Sequence, residues 1–108
     1  MKFFGLKTCD TCRKALKALQ AAGHSPTVVD VRADGLTAQQ IEAIVQEFPE
    51  KAINRASTTW RSLTDAEKES DPKALLAAHP TLMKRPVIQD GDMTIGWDKA
   101  VQAKWLGA

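Results

Sequence analysis

The apolar residues of this chain come in short runs whose spacing changes along its length, and those changes mark its elements. Lys2 to Leu6 is a brief, nearly continuous apolar run that reads as a buried strand, with Gly5 permitting close backbone approach. Directly after it Cys12, Ala15, Leu16 and Leu19 fall at i, i+3, i+4 and i+7. That spacing predicts a helix with these residues facing inward and Arg13, Lys14, Lys17 and Gln20 facing water. Gly23 is placed to stop it. Thr27 to Val31 is a β-branched run after Pro26, and a strand, helix and strand joined this tightly predict a right-handed βαβ unit with parallel strands.

Asp34-Gly35 then turns the chain, and Thr37-Ala38-Gln39-Gln40 has the form of a capping box. Ile41, Ile44, Val45 and Phe48 repeat at helical spacing until Pro49 ends the run. From Glu50 to Pro80 the pattern is patchier. Ala52 and Ile53 precede a polar stretch from Asn54 to Arg61, and Thr64-Asp65-Ala66-Glu67 and Asp71-Pro72 are two further helix starts. Arg85 to Gln89, Asp90-Gly91 and Met93 to Ile95 read as a hairpin, in which Asp90 and Gly91 suit the positive φ angles of a two-residue turn. Asp98 is placed to cap a last helix with Val101 and Trp105 facing inward and Gly107 ending it.

The order β-α-β, helical stretch, β-β-α predicts an α/β fold of thioredoxin-like arrangement with a four-stranded mixed sheet. Residues 1–108 are expected to form one domain, with a helical insert at about 37–80. Fifteen basic against thirteen acidic residues leave a net charge of +2, so bulk charge makes no case for nucleic acid or membrane, and anion recognition has to be local. The N-terminus lacks a signal-peptide pattern and no apolar run approaches a membrane span, which points to the cytoplasm. A monomer is expected.

Into this frame the chain sets Thr8-Cys9-Asp10-Thr11-Cys12-Arg13-Lys14 at a strand-to-helix junction. Two cysteines three positions apart in a reducing compartment read as redox or metal-binding rather than as a static staple. Zinc in a structural site takes four ligands, and only His24 and His79 accompany the pair, so no metal is predicted. A thiol near its reference pKa of about 8.5 is mostly protonated at neutral pH, and a helix start with nearby cations draws it down. Cys9 lies outside the apolar stripe and is expected to be the exposed nucleophile. Cys12 lies on the stripe, either as the thiol that resolves a mixed disulfide or as a small core residue. Arg85 is a candidate anion clamp near Cys9, and Lys7, Arg13 and Lys14 are candidate sources of positive charge. Arg55 and Arg61, near Trp60 in the polar stretch, are candidates for a substrate surface.

The blocks Gly5-x-x-x-Cys9-Asp10-Thr11-Cys12-Arg13-Lys14-Ala15, Thr58-Thr59-Trp60-Arg61-x-Leu63, Lys84-Arg85-Pro86-Val87-Ile88 and Ile95-Gly96-Trp97 occur in the order found in one family. The chain resembles the family that contains the glutaredoxin-coupled arsenate reductase ArsC, the regulator Spx and the YffB proteins, and is most similar to the YffB branch. The resemblance spans nearly the whole chain. It implies a thioredoxin-like core, a reactive Cys9, and Arg85 before a cis Pro86; with Cys12 from the C-x-x-C pair, the expected catalytic residues are Cys9, Cys12 and Arg85. The expected substrate-binding set is Thr11, Arg13, Arg55, Arg61 and Pro86. The implied activity is that of a glutathione-dependent thiol reductase with no bound cofactor, glutathione serving as co-substrate. Its partners are then glutathione, a glutathionylated or disulfide substrate, and a glutaredoxin.

The chain departs from the family pattern in places that bear on chemistry. YffB proteins often carry an apolar residue where this chain has Cys12, so its dithiol is more like that of Spx. The family commonly reads Asn-Thr-Arg-Gly-Thr-Thr where this chain has Asn54-Arg55-Ala56-Ser57-Thr58-Thr59, which leaves Arg55, one place early, as the substitute for the loop arginine. ArsC carries an arginine where this chain has Trp97, so an arsenate pocket here lacks a cationic donor. The alternatives to a thiol reductase are a glutaredoxin-coupled arsenate reductase and an Spx-like redox-sensing regulator that binds RNA polymerase. Spx-like proteins continue past the last helix, whereas this sequence ends at Ala108, which weighs against the second.

Overall fold

A computed structural model describes residues 1–107. Among them it shows β1 (Lys2–Gly5), α1 (Asp10–Ala21), β2 (Thr27–Asp30), α2 (Ala38–Glu47), α3 (Thr58–Arg61), α4 (Asp65–Lys68), α5 (Pro72–Ala78), β3 (Val87–Asp90), β4 (Asp92–Ile95) and α6 (Lys99–Leu106). A 3-10 turn, Pro80–Leu82, lies between α5 and β3. The chain forms two compact units, one of residues 1–31 together with the chain from Arg85 onward, the other Arg32–Lys84. The architecture is thioredoxin-like α/β, with a four-stranded mixed sheet as expected.

In the first unit the strand order is β2-β1-β3-β4, with β1 parallel to β2 and antiparallel to β3, and β3 antiparallel to β4. Side chains alternate across a strand, so Phe3 and Gly5 share one face of β1 and Phe4 takes the other. On the first face Phe3 and Ile88 are register partners and join Cys12, Ala15 and Leu19 of α1 in a buried cluster. Leu16, Trp97 and Trp105 pack against its edge. The Trp105 indole N–H donates to Thr94 Oγ1 at 2.8 Å, fastening α6 to the sheet, and the Asp98 carboxylate caps α6 by accepting from the Val101 N–H at 2.9 Å. His24, just past α1, meets the Trp105 carbonyl through Nε2 at 2.7 Å. The predicted inward stripe of α1 holds at Cys12, Ala15 and Leu19. Leu16 is only half-buried, because β2 is an edge strand and α1 leaves Val28 40% exposed.

The hairpin differs from expectation at its tip. Asp90 and Asp92 are register partners, so Gly91 alone forms the apex, at φ 78, and no residue other than glycine adopts a positive φ among the described residues. The expected two-residue turn with both Asp90 and Gly91 at positive φ is therefore not formed. Left-handed backbone costs a non-glycine residue roughly 1–2 kcal/mol, and here the glycine absorbs the reversal by itself.

The second unit is helical. The expected capping box forms with Thr37 and Gln40 at α2, the expected helix start at Thr64 closes a second box with Glu67 at α4, and Asp71 caps α5 with Pro72 in its first turn. Ile41, Ile44 and Val45 of α2 and Leu75 and Leu76 of α5 are buried. The piece at Ala52 and Ile53 is tied by a β-bridge between Ile53 and Met83 and by the Lys84 N–H donating to the Ala52 carbonyl at 3.0 Å.

Candidate active site

Cys9 stands where β1 hands over to α1. Its N–H donates to the Leu6 carbonyl at 3.2 Å, its carbonyl accepts from the Arg13 N–H at 3.0 Å, and its extended backbone (φ −85, ψ 119) makes it the N-cap. A capping residue is usually one with a side-chain oxygen that accepts from the first turn. Here a sulfur holds that position without a side-chain cap of ordinary hydrogen-bond geometry, and the N–H groups of the turn favour its ionised form. Cys9 is half-buried, while Cys12, one turn on, is 2% exposed.

The two thiols shift in opposite directions. Burial pushes Cys9 up, but the Cys12 backbone N–H, the Cys12 thiol and the Arg85 guanidinium, by hydrogen bond and by charge, outweigh it and leave Cys9 below the ordinary thiol value. Cys12 is pushed up to about 11, first by burial and then by its neighbour Cys9, against opposing pulls from the Leu6 backbone and Arg85. At neutral pH Cys9 is thus the thiol closer to ionisation, and Cys12 stays protonated.

Arg85 reaches this pair from the other end of the chain, half-buried just before β3. The Arg85–Pro86 peptide is cis, and the Pro86 carbonyl accepts from the Gly96 N–H at 2.9 Å, which anchors the start of β3 to the end of β4. Cys9, Cys12 and Arg85 therefore meet, with buried Pro86 next in line. Thr11 is exposed in the first turn of α1, and the Arg13 guanidinium is held by the Asp10 carboxylate on the same turn. That ion pair occupies Arg13, and Arg85 is the cation that draws Cys9 down.

Arg55 and Arg61 belong to the second unit. The Arg55 guanidinium lies 5.4 Å from the Trp60 ring centroid and donates to the Glu50 carbonyl at 3.4 Å, and Arg61 Nη2 donates to the Ala56 carbonyl at 3.0 Å. Lys68 stands at 5.7 Å from the same ring, a neighbour not anticipated from sequence, although the Thr64–Glu67 box that starts α4 fixes its place. Gly5 is the other residue whose importance was underread: a Cβ there would lie 2.8 Å from Cys12 Sγ. The signal was the glycine inside an apolar strand, four residues before the first cysteine.

A half-exposed thiolate supported by an S–H, an N–H and a guanidinium can attack a disulfide sulfur and leave again as a stabilised anion. Among the described residues no cluster of His, Cys, Asp and Glu is fit to hold a metal ion, and no helix is long and apolar enough to cross a membrane.

A family model described as the ArsC family matches residues 4–104. The chain belongs to the ArsC family. An uncharacterized protein of Haemophilus influenzae (strain ATCC 51907 / DSM 11121 / KW20 / Rd) is 39% identical over 102 residues, covering 89% of this chain and 90% of its own. Among solved structures, the YFFB protein superposes with a TM-score of 0.89 at 29% identity over 97% of both chains. An arsenate reductase (ArsC) related protein from Brucella melitensis does so with a TM-score of 0.73 at 30% identity, over 99% of this chain and 94% of that one. This ArsC-family protein is accordingly of the thiol-oxidoreductase kind, arsenate-reductase-like in family and fold.

Proposed function

We propose that this ArsC-family protein is a cytoplasmic, monomeric, glutathione-dependent thiol reductase with Cys9 as its nucleophile. The observation that carries the reading is the pairing of a half-exposed Cys9 at the start of α1 with Arg85, which lowers its thiol together with the Cys12 N–H and S–H. In this reading the Cys9 thiolate attacks one sulfur of a glutathione disulfide or mixed disulfide. A Cys9–S–S bond forms, the original S–S bond breaks, and the departing sulfur takes the electron pair as a thiolate. Arg85 steadies the Cys9 thiolate and is the candidate to hold a glutathione carboxylate. Thr11 and Arg13 on the first turn of α1 and Pro86 next to Arg85 are the further candidates for contacting the substrate. A glutaredoxin is the protein partner suited to clearing glutathione from Cys9.

The test joins two measurements on the Cys12→Ser protein: the pH profile of iodoacetamide alkylation, and intact mass after incubation with oxidised glutathione. The expected result is half-maximal alkylation of Cys9 below the ordinary thiol pH and a single glutathione adduct. An alkylation midpoint near about 8.5 with no adduct sinks the proposal. The arsenate reading is weaker, because Trp97 stands after Ile95-Gly96 where the resemblance calls for an arginine.

A further inference from the structure

We infer that the second unit carries a docking surface for an acidic segment of a protein partner, made of Arg55 and Lys68 held against the Trp60 ring with Arg61 on the neighbouring backbone. It acts by charge alone and does not depend on the thiol chemistry proposed for Cys9.

The surface is built on Trp60, a half-buried residue of α3. The Arg55 guanidinium stands 5.4 Å from its ring centroid and the Lys68 ammonium 5.7 Å, both inside the distance over which an indole attracts a cation. Arg61 Nη2 donates to the carbonyl of Ala56, the residue after Arg55, at 3.0 Å, which keeps a third cation on the same stretch. These contacts are made to a ring and to backbone carbonyls, so none of them neutralises a charge. Among the described residues no carboxylate lies within salt-bridge distance of Arg55, Arg61 or Lys68. Glu67, which directly precedes Lys68, is engaged elsewhere. Its carboxylate accepts from the Thr64 N–H at 2.9 Å and faces His79 Nε2 at 3.4 Å. The fold thus gathers three positive charges and diverts the acid nearest Lys68 in sequence.

What covers such a surface is set by its chemistry. An exposed cation gains little from a single carboxylate, because water screens both. A chain bearing several carboxylates meets all three cations, and each later contact forms within a complex already made. Arg55 and Lys68 are also held by the ring before a partner arrives, which lowers the cost of ordering them. A nucleic acid fits less well. Its bases need an aromatic face to stack on, and the Trp60 ring already carries two cations. A net charge of +2 over the whole chain also supplies no long basic track for a phosphate backbone. The occupant is therefore a run of Asp and Glu side chains on another protein.

The experiment follows binding of a fluorescein-labelled oligoglutamate peptide by anisotropy, with free glutamate at equal carboxylate concentration and an oligothymidine strand as comparisons. The peptide is expected to bind at low salt, to weaken as salt rises, and to shift the Trp60 indole N–H resonance. Arg55→Gln and Lys68→Gln should each weaken binding roughly threefold and the double variant about tenfold. Lys73→Gln, which removes an exposed charge on α5 outside the cluster, should leave it unchanged. Trp60→Phe keeps every charge but holds the cations less firmly, so it should weaken binding about twofold. Equal losses in Lys73→Gln and Lys68→Gln would show attraction by bulk charge and overturn the surface. So would full retention in the double variant, or no binding of the peptide to wild type. Tighter binding of oligothymidine would assign the surface to nucleic acid and overturn the choice of a protein partner. Displacement of the peptide by free glutamate would overturn the need for several carboxylates on one chain.

Discussion

Two identical side chains three residues apart end with opposite chemistry because one helical turn changes what surrounds them. Cys9 is half in water, with donors pointed at it. Cys12 is sealed between a strand and a helix. Arg85 is the one contributor to this contrast that lies far away in sequence, so its removal separates local from long-range effects. Arg85→Gln should raise the alkylation midpoint of Cys9 and slow its alkylation at neutral pH by about threefold to tenfold, the effect being moderated by the partial exposure of the sulfur. Arg85→Lys should fall between, since it keeps the charge and loses the planar fork. Equal alkylation profiles for wild type and Arg85→Gln would show that the helix start and Cys12 carry the shift without it.

At the scale of elements, what the sequence made legible is what depends on neighbours in the chain. Thr37 with Gln40 and Thr64 with Glu67 fold into the boxes their spacing implies, and Asp98 and Gly107 bound α6 as their residue types suggest. The hairpin tip was misread because Asp-Gly is compatible with more than one register, and pairing of Asp90 with Asp92 is settled by how β3 and β4 align over their whole length. The cationic surroundings of Cys9 were legible only as a set of candidates, Lys7, Arg13, Lys14 and Arg85, among which the fold selects. Nothing local ties Arg85 to residue 9, whereas Asp10 and Arg13, at i and i+3 on α1, are spaced to pair. The contact between β1 and α1 at Gly5 and Cys12 depends on how closely the helix packs on the strand, and it carries a sharp expectation. Gly5→Ala forces a Cβ to within 2.8 Å of Cys12 Sγ and 2.9 Å of Phe3, neither of which has room to yield in the buried cluster. The substitution should cost about 1–3 kcal/mol by overpacking, read as a lower urea midpoint with little change in slope. An unchanged midpoint would mean that α1 can lift off β1 at no cost.

For the whole molecule, a buried protonated thiol beside an ionisable one makes stability depend on pH in two opposed ways. Cys9 is an acid whose folded pKa is depressed, so the folded state releases its proton first and stability rises with pH up to the ordinary thiol range. Cys12 is an acid whose folded pKa is raised, from 9.0 to about 11. Between those values the folded state holds a proton that the unfolded chain has already released, so stability falls as pH rises through that window. The Cys12 contribution is fully present below about 9 and is lost by the time pH passes 11. Its size is on the order of 2–3 kcal/mol, from the free energy of a shift of this extent. Lysines and other groups titrate in the same range, so the effect is best read as a difference. The stability gap between wild type and Cys12→Ala, measured by urea unfolding, should shrink by about 2 kcal/mol from neutral pH to near the top of the window. Since Cys12→Ala also relaxes the pull of Cys12 on Cys9, the comparison is repeated in a Cys9→Ser background, where a gap that stays constant with pH would show that the Cys12 thiol ionises without cost inside the fold.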